Sequence, residues 1–311
     1  MEFPVSEVEV CLENAKLASL SYLEFVQNEE GFWKPKLRIL SEEVMTMLDK
    51  YDILHHQHDK ISGLSYTIFK NKQTKLVTIG ISGTDPDEFS DFLGCLDIAL
   101  GKFSLAQMVA LYNDINKHRT PKNKIIFNLN ENCQPSFDFA EKHGILSQEK
   151  YYDVTGHSQG GHLAQALGVC IPNVRHVYTY NAPHIQYNNP FLLKMAHHHP
   201  INIDKTTTNI VANNGLSLIS KYCTGCGPVI PIHGYSHRIK YVTQTLNSYV
   251  QMGLETVQDI QDYYHNNTYF RFIKDKNKLH SQSNGIKSFI FNKGLDFLDC
   301  VAVQGRKLCR E

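Results

Sequence analysis

The feature that most constrains this chain is the run Val154-Thr155-Gly156-His157-Ser158-Gln159-Gly160-Gly161. Residues 151–155 read as a short strand, and residues 162–169, rich in alanine and leucine, read as a helix. A G-x-S-x-G run between a strand and a helix predicts a sharp turn whose serine takes a strained backbone conformation. Side chains two residues to either side would collide in such a turn, so both positions are glycine. The turn lifts the Ser158 hydroxyl out at the carboxyl end of a sheet. It also aims the Gln159 N–H, at the start of the following helix, toward an oxyanion developing beside the serine. A plain glycine-rich turn would show the same four residue types; the flanking strand and small-residue helix favour a nucleophile at Ser158.

The rest of the chain supplies the sheet that such a turn needs. Residues 5–26 read as a helix with Cys11, Ala15, Ala18 and Tyr22 on one face. A hairpin is predicted from residues 64–69 and 75–82 around the polar run 70–74, its second arm apolar and β-branched as in a sheet interior. A turn signal follows at Ser82-Gly83-Thr84-Asp85-Pro86. Residues 104–118 and 135–143 read as helices, and 174–180 and 208–212 as strands. Strands alternating with helices predict an α/β fold with a largely parallel sheet. Beyond about residue 244 the texture is helical, aromatic and lysine-rich. The expected division is therefore 1–245, one α/β domain, and 246–311, a helical extension or lid, whether or not it packs on the same domain.

Composition narrows the partners. The 311 residues are 42% hydrophobic and 20% charged, with zero formal net charge, so no basic field argues for nucleic acid. The acidic start Met-Glu-Phe-Pro-Val-Ser-Glu lacks the basic and apolar regions of a secretory signal peptide, and no run is apolar for long enough to span a bilayer. A cytoplasmic protein, or one exported by another route, is expected. The eight cysteines are scattered, and reduced thiols are the default. Cys223 and Cys226 have no second Cys-x-x-Cys to complete a metal site, so no metal and no organic cofactor is expected.

Several segments, in order, resemble the class 3 (fungal-type) lipases and their bacterial lipase-like relatives, within the α/β-hydrolases. The nucleophile run does, through Gly161-His162-Leu163-Ala164. Ile81-Ser82-Gly83-Thr84-Asp85 with Asp91-Phe92-Leu93 is similar to the family's Arg-Gly-Thr loop and Asp-Trp-Leu-like run, with Ser82 in place of the arginine. Residues 177–183 are similar to the strand after the elbow, and Gly234-Tyr235-Ser236-His237 to the closing histidine segment. The resemblance covers roughly residues 10–245. It implies an α/β-hydrolase fold and an acyl-enzyme mechanism with a lipid ester as substrate. It implies Ser158 as nucleophile, Thr84 and Gln159 as oxyanion-hole donors, and His237 as general base. His233, four residues earlier, is the rival; His237 is preferred because it matches the family segment and opens a strand-like run at 238–242.

The triad acid departs from the pattern. The family places it after the 208–212 strand, yet no Asp or Glu lies between Asp204 and Glu255, and Ser217 stands where relatives place aspartate. Three readings follow: Asp204 reaches the histidine from before the strand, Asn214 or Ser217 orients the imidazole by a neutral hydrogen bond, or the acid is lost and turnover with it. The expected function is a serine-dependent carboxylic ester hydrolase, a lipase or phospholipase. The rivals are an acyltransferase or non-lipid esterase on the same scaffold, and a pseudoenzyme that binds lipid or protein.

Residues 284–311 place Ile286, Phe289, Ile290, Leu295, Phe297, Leu298 and Val301 at three- and four-residue steps among Lys287, Lys293, Arg306, Lys307 and Arg310. An amphipathic helix broken near Gly294 fits this spacing. Such a face packs on the core or makes a peripheral membrane contact.

Overall fold

The computed structural model describes residues 5–37, 39–59, 64–83, 105–117, 124–128, 134–138, 146, 151–171, 173–185, 192, 206–212, 227–234 and 238–266. Among them, seven strands form one sheet. In chain order these are β3 (Tyr51–Asp59), β4 (Leu64–Asn71), β5 (Val77–Ile81), β8 (Tyr152–His157), β9 (Val174–Tyr180), β10 (Thr207–Ala212) and β11 (Val229–Ile232). Their spatial order is β11-β10-β9-β8-β5-β4-β3. Strands β5, β8, β9, β10 and β11 pair in parallel, whereas β3, β4 and β5 form an antiparallel meander at one edge. Two short antiparallel pairs lie apart from this sheet: β1 (Phe25–Gln27) with β2 (Trp33–Pro35), and β6 (Lys124–Asn128) with β7 (Gln134–Asp138).

Helices cover both faces, as a parallel sheet requires. Successive strand residues point to opposite sides, and the side chains sort accordingly. On one side Ile68, Ile79, Ile81, Val154 and Val177 are buried in a cluster with α3 (Leu105–Lys117) and α4 (Gln159–Cys170), through Met108, Leu111, Ile115, Leu163 and Leu167. On the other side Phe69 is buried with Leu17 and Leu20 of α1 (Glu7–Leu20) and Met47 of α2 (Glu42–Lys50). Helix α5 (Ile239–Gln251) packs along α1. This is the α/β-hydrolase architecture: a mostly parallel sheet between helices, with a strand–turn–helix elbow at its centre.

Helix α1 is docked by polar contacts as well as apolar ones. Thr155 Oγ1 donates to the Asn14 carbonyl at 2.9 Å, and Tyr180 Oη to the Cys11 carbonyl at 2.6 Å. The helix begins with a capping box, in which the Glu9 amide donates to Ser6 Oγ and the Ser6 amide to Glu9 Oε2. It ends earlier than the predicted residue 26. The Tyr22 and Leu23 amides donate to the Ser19 and Leu20 carbonyls, a tightening of the last turn, and the Ser21 hydroxyl donates to the Ala18 carbonyl.

Two further local readings change. Residues 135–143 were expected to be helical, but Gln134–Asp138 pairs as a strand with the β-branched stretch Lys124–Asn128. A nine-residue helix has little intrinsic stability, so a cross-strand partner decides the conformation. The 238–242 run opens α5 rather than a strand. Val242, Leu246 and Tyr249 of α5 are buried at three- and four-residue steps, the helical period that overrides the β-propensity of Ile239, Tyr241 and Val242.

The chain divides into two compact units, Met1–Gln261 and Asp262–Glu311, and α5 runs across position 245. Within the second unit the described residues are 262–266, the end of α6 (Val257–Asn266). Residues 284–311 lie outside the described residues. No helix among the described residues is long and apolar enough to cross a membrane. Of the cysteines, Cys11 and Cys170 are described, and both are buried free thiols.

Candidate active site

Strand β8 runs straight into the turn. The His157 backbone still pairs with Tyr180, and the Ser158 amide donates to the Tyr180 carbonyl at 2.9 Å. Ser158 then takes φ 56° and ψ −126°, left-handed in φ, a conformation a non-glycine residue holds at a cost of about 1–3 kcal/mol. Helix α4 starts at the next residue, and its first amides, from Gly161 and His162, return to the Ser158 carbonyl. Ser158 is half-buried, while its neighbours His157 and Gln159 are buried.

The glycines are steric requirements here. A β-carbon at Gly156 would lie 2.3 Å from the Gly160 carbonyl oxygen, so strand and helix could not close the turn. One at Gly160 would lie 2.3 Å from the Ile81 carbonyl oxygen and 2.4 Å from that of Ser82. Gly160 is therefore where α4 crosses the end of β5. Gly160→Ala sets a methyl against backbone that cannot rotate away. Overpacking of this kind costs roughly 1–3 kcal/mol, and the upper end is expected because both obstacles are main chain. Thermal unfolding should show the lowered midpoint; a variant as stable as the parent would mean the crossing relaxes freely.

Gln159 places its backbone N–H in the first turn of α4, the end at which helix amides point outward and favour negative charge. Its side chain is fixed away from the turn by a hydrogen bond to Gln107 of α3. The strand ends beside the elbow are held in a row. The Asn181 amide donates to the Ile210 carbonyl at 2.9 Å, and Asn181 Oδ1 accepts from the Ala212 amide at 2.7 Å. Ala212 pairs with Ile232 at the end of β11, immediately before His233 and Gly234. The chain thus enters the 233–238 segment at the same end of the sheet as Ser158. His233 itself is half-buried; its amide donates to the Tyr249 hydroxyl at 3.0 Å, its carbonyl accepts from Thr245 Oγ1 at 2.9 Å, and burial holds its imidazole down to about 4. A cavity of about 650 Å³ opens beside it, lined by His233, Gly234, Arg238 and Tyr241.

Of the expected site residues, Ser158 and Gln159 are placed at the elbow. Thr84, His237 and Asp204 lie outside the described residues, as do Asn214 and Ser217. Strand β10, which Asp204 precedes by three residues, enters the sheet at Thr207, the end opposite the elbow. Among the described residues the buried acid is Asp153, and it is occupied: Arg175 Nε and Nη2 donate to its two oxygens at 2.9 and 2.6 Å. It also lies five residues before Ser158 in an extended strand, roughly 16 Å away at about 3.3 Å per residue. It is a structural ion pair. Among the described residues no group of three or more His, Cys, Asp or Glu could hold a metal ion.

A buried histidine layer lies behind the elbow. His162 Nδ1 and Gln165 Nε2 both reach the Pro183 carbonyl, at 3.3 and 3.2 Å, and His184 is buried next in sequence. Burial pushes the His162 imidazole down from 6.5 to about 4, and lowers His184 as well. His56 on β3 is likewise held at about 4, chiefly by burial. The unfolded chain binds the His162 and His56 protons near pH 6.5, but the folded chain does not until about pH 4, so stability falls as pH drops through that window. The melting temperature should therefore decline between pH 6.5 and 5, above the range where ordinary carboxylates protonate, and the slope should be shallower in His162→Gln. A melting temperature flat across that interval would contradict the burial of neutral imidazoles.

No family model and no curated protein matches the chain. Among solved structures, it is similar in fold to fungal lipases at low identity. The lipase from Rhizopus microsporus var. chinensis is 13% identical, with 73% of this chain and 76% of that one covered, at a TM-score of 0.42. Lip2 lipase from Yarrowia lipolytica is 16% identical over 73% and 80%, at 0.44. Lipase II from Rhizopus niveus is 13% identical over 81% and 92%, at 0.42. The sheet order and the elbow define the fold without them.

Proposed function

We propose that the protein is a serine-dependent carboxylic ester hydrolase acting through an acyl-enzyme, with a lipid ester as substrate. The observation that carries this reading is the Ser158 backbone at φ 56°, between a strand end and a helix start, with glycines where any β-carbon would strike main chain. A strained serine presented at the carboxyl end of a parallel sheet is costly to keep, and nucleophilic catalysis gives that cost a purpose. The Ser158 oxygen attacks the ester carbonyl carbon, and the general base takes its proton. The tetrahedral oxyanion is met by the Gln159 amide, and by Thr84, three residues after β5. Collapse expels the alcohol with that proton and leaves the acyl group on Ser158, and water then repeats the sequence.

His237 fills the base role, in a segment whose start the strand ends bring to this end of the sheet. Asp204, three residues before β10, is the acidic side chain nearest that strand in sequence, and Asn214 and Ser217, in the stretch after β10, supply neutral orienting groups. A neutral partner would leave a dyad, slower because imidazolium is less stabilised. A fluorophosphonate probe tests the reading directly: labelling at Ser158, located by peptide mass, needs an activated hydroxyl, and a chain that stays unlabelled under conditions that label a control serine hydrolase would overturn it.

A further inference from the structure

Tyr22 stands just beyond α1, 135 residues from the elbow in sequence, yet its hydroxyl lies 2.8 Å from His157 Nδ1. The two rings are tilted at 57° with centroids 6.0 Å apart. A third element meets them. A β-carbon added at Gly83 would lie 2.3 Å from Tyr22 Oη, 2.7 Å from the His157 carbonyl oxygen and 3.1 Å from Ser158 Cβ. The phenol oxygen, the residue before the nucleophile, the nucleophile's β-carbon and the chain leaving β5 therefore converge on one point. Gly83 is open there because that space is taken. Tyr22 cannot drift from it easily. The α1 helix that precedes it is pinned to β8 and β9 by the Thr155 and Tyr180 hydrogen bonds, and its Leu17 carbonyl would lie 3.2 Å from a β-carbon on Gly80 of β5.

On the reading that Ser158 is the acylating nucleophile, we propose that Tyr22 is a positioning residue for acyl transfer. Its hydroxyl, shared with His157 Nδ1, wedges between the elbow and the exit of β5, and fixes the spacing between Ser158 and the end of β5 at Gly83. That spacing matters most when the carbonyl becomes tetrahedral, so the effect falls on turnover rather than on substrate binding.

Tyr22→Phe removes one oxygen and keeps the ring, which is partly exposed, so the fold is kept. With a nitrophenyl butyrate ester, kcat should fall roughly 10- to 100-fold with KM unchanged, the range that a displacement of about 1 Å produces. The melting temperature should stay that of the parent. Affinity for an alkyl boronic acid, which forms a tetrahedral adduct with serine, should fall by the same factor as kcat. A His157→Gln variant, alone and combined with Tyr22→Phe, should give losses that do not add, because both break one link. Parental kcat in Tyr22→Phe, a loss shared equally by kcat and the melting temperature, or additive losses in the double variant would each overturn the proposal while leaving Ser158 as nucleophile. A parent that neither hydrolyses the ester nor reacts with fluorophosphonate would overturn the hydrolase reading itself, and Tyr22's role with it.

Discussion

Ser158→Ala should reduce ester hydrolysis by about four to six decades in kcat and leave the fold intact. The size follows from what the hydroxyl does: without it there is no covalent intermediate, and the residual rate is what the oxyanion donors and substrate binding provide, some three to four decades above water. The fold survives because alanine keeps the β-carbon that the turn already accommodates, and the Ser158 contacts that build the turn are main chain, from its amide to Tyr180 and from Gly161 and His162 to its carbonyl. Stability therefore offers a second readout. Ser158→Gly relieves the positive φ and should melt above the alanine variant, since glycine takes such a backbone at little steric cost. The measurements are nitrophenyl ester turnover and calorimetry. Full turnover in the alanine variant would remove Ser158 from the mechanism; identical melting of the two variants would mean the turn is not strained.

The next largest effect is expected at the base, and it separates two histidines four residues apart. His237→Ala should lose several decades of kcat, because a serine without a base is protonated at neutral pH and attacks slowly. His233→Ala should lose far less turnover and more stability. His233 is built into the scaffold: its main chain is tied to Tyr249 and Thr245 of α5, and its ring meets Tyr249 edge-on at 6.0 Å. A half-buried imidazole held at about 4 is also a weak base toward a serine hydroxyl, since general-base efficiency is greatest for a group titrating near the working pH. Parallel pH–rate profiles of the two variants, with their melting curves, decide the matter. If His233→Ala is the inactive one and His237→Ala is not, the roles are exchanged.

How much of this was legible in the sequence depends on distance along the chain. The elbow is a local object: strand, five residues, helix. Its glycines announce themselves, and β8, β9, β10 and the β4–β5 hairpin follow from apolar and β-branched runs. Strand β3 gives no such signal. Its residues Tyr51–Asp59 include His55, His56 and His58, polar residues that carry no strand pattern, yet His56 is buried against Phe25 and Trp33 and bonded to Thr67 Oγ1 at 2.9 Å. Aromatic neighbours from β1 and β2, far apart in sequence, make that histidine a core residue. Strand β11 is four residues long and carries Pro231, so its place at the sheet edge rests on pairing with β10, which no local pattern encodes. The 238–242 error has the opposite origin: a five-residue window favoured a strand, and only the longer spacing of Val242, Leu246 and Tyr249 reveals α5. Spacing marks Tyr22 as one more residue on a helix face. Its hydroxyl partner is in another element, so spacing alone could not single it out. The triad acid lacks a sequence signature for a chemical reason, since the residues after β10 offer amides and hydroxyls where the resemblance implies a carboxylate.

The docking of α1 has a consequence for how the molecule is made. This helix is synthesised well before the strands it packs on: the side chains that fasten it, Thr155 and Tyr180, come 141 and 169 residues later, and His157 follows Tyr22 by 135. At about 5–20 residues per second, α1 waits on the order of ten seconds for them. Fourteen residues are a marginal helix in isolation, and during that interval its apolar face, with Val8, Leu12 and Ala15, lacks the strands β8 and β9 on which it is fastened. The nascent chain is thus most exposed to aggregation before β8 and β9 emerge. Burial of α1 and closure of the elbow then become late, coupled events of high sequence separation, so substitutions in α1 should reduce the yield of folded protein more than its equilibrium stability indicates.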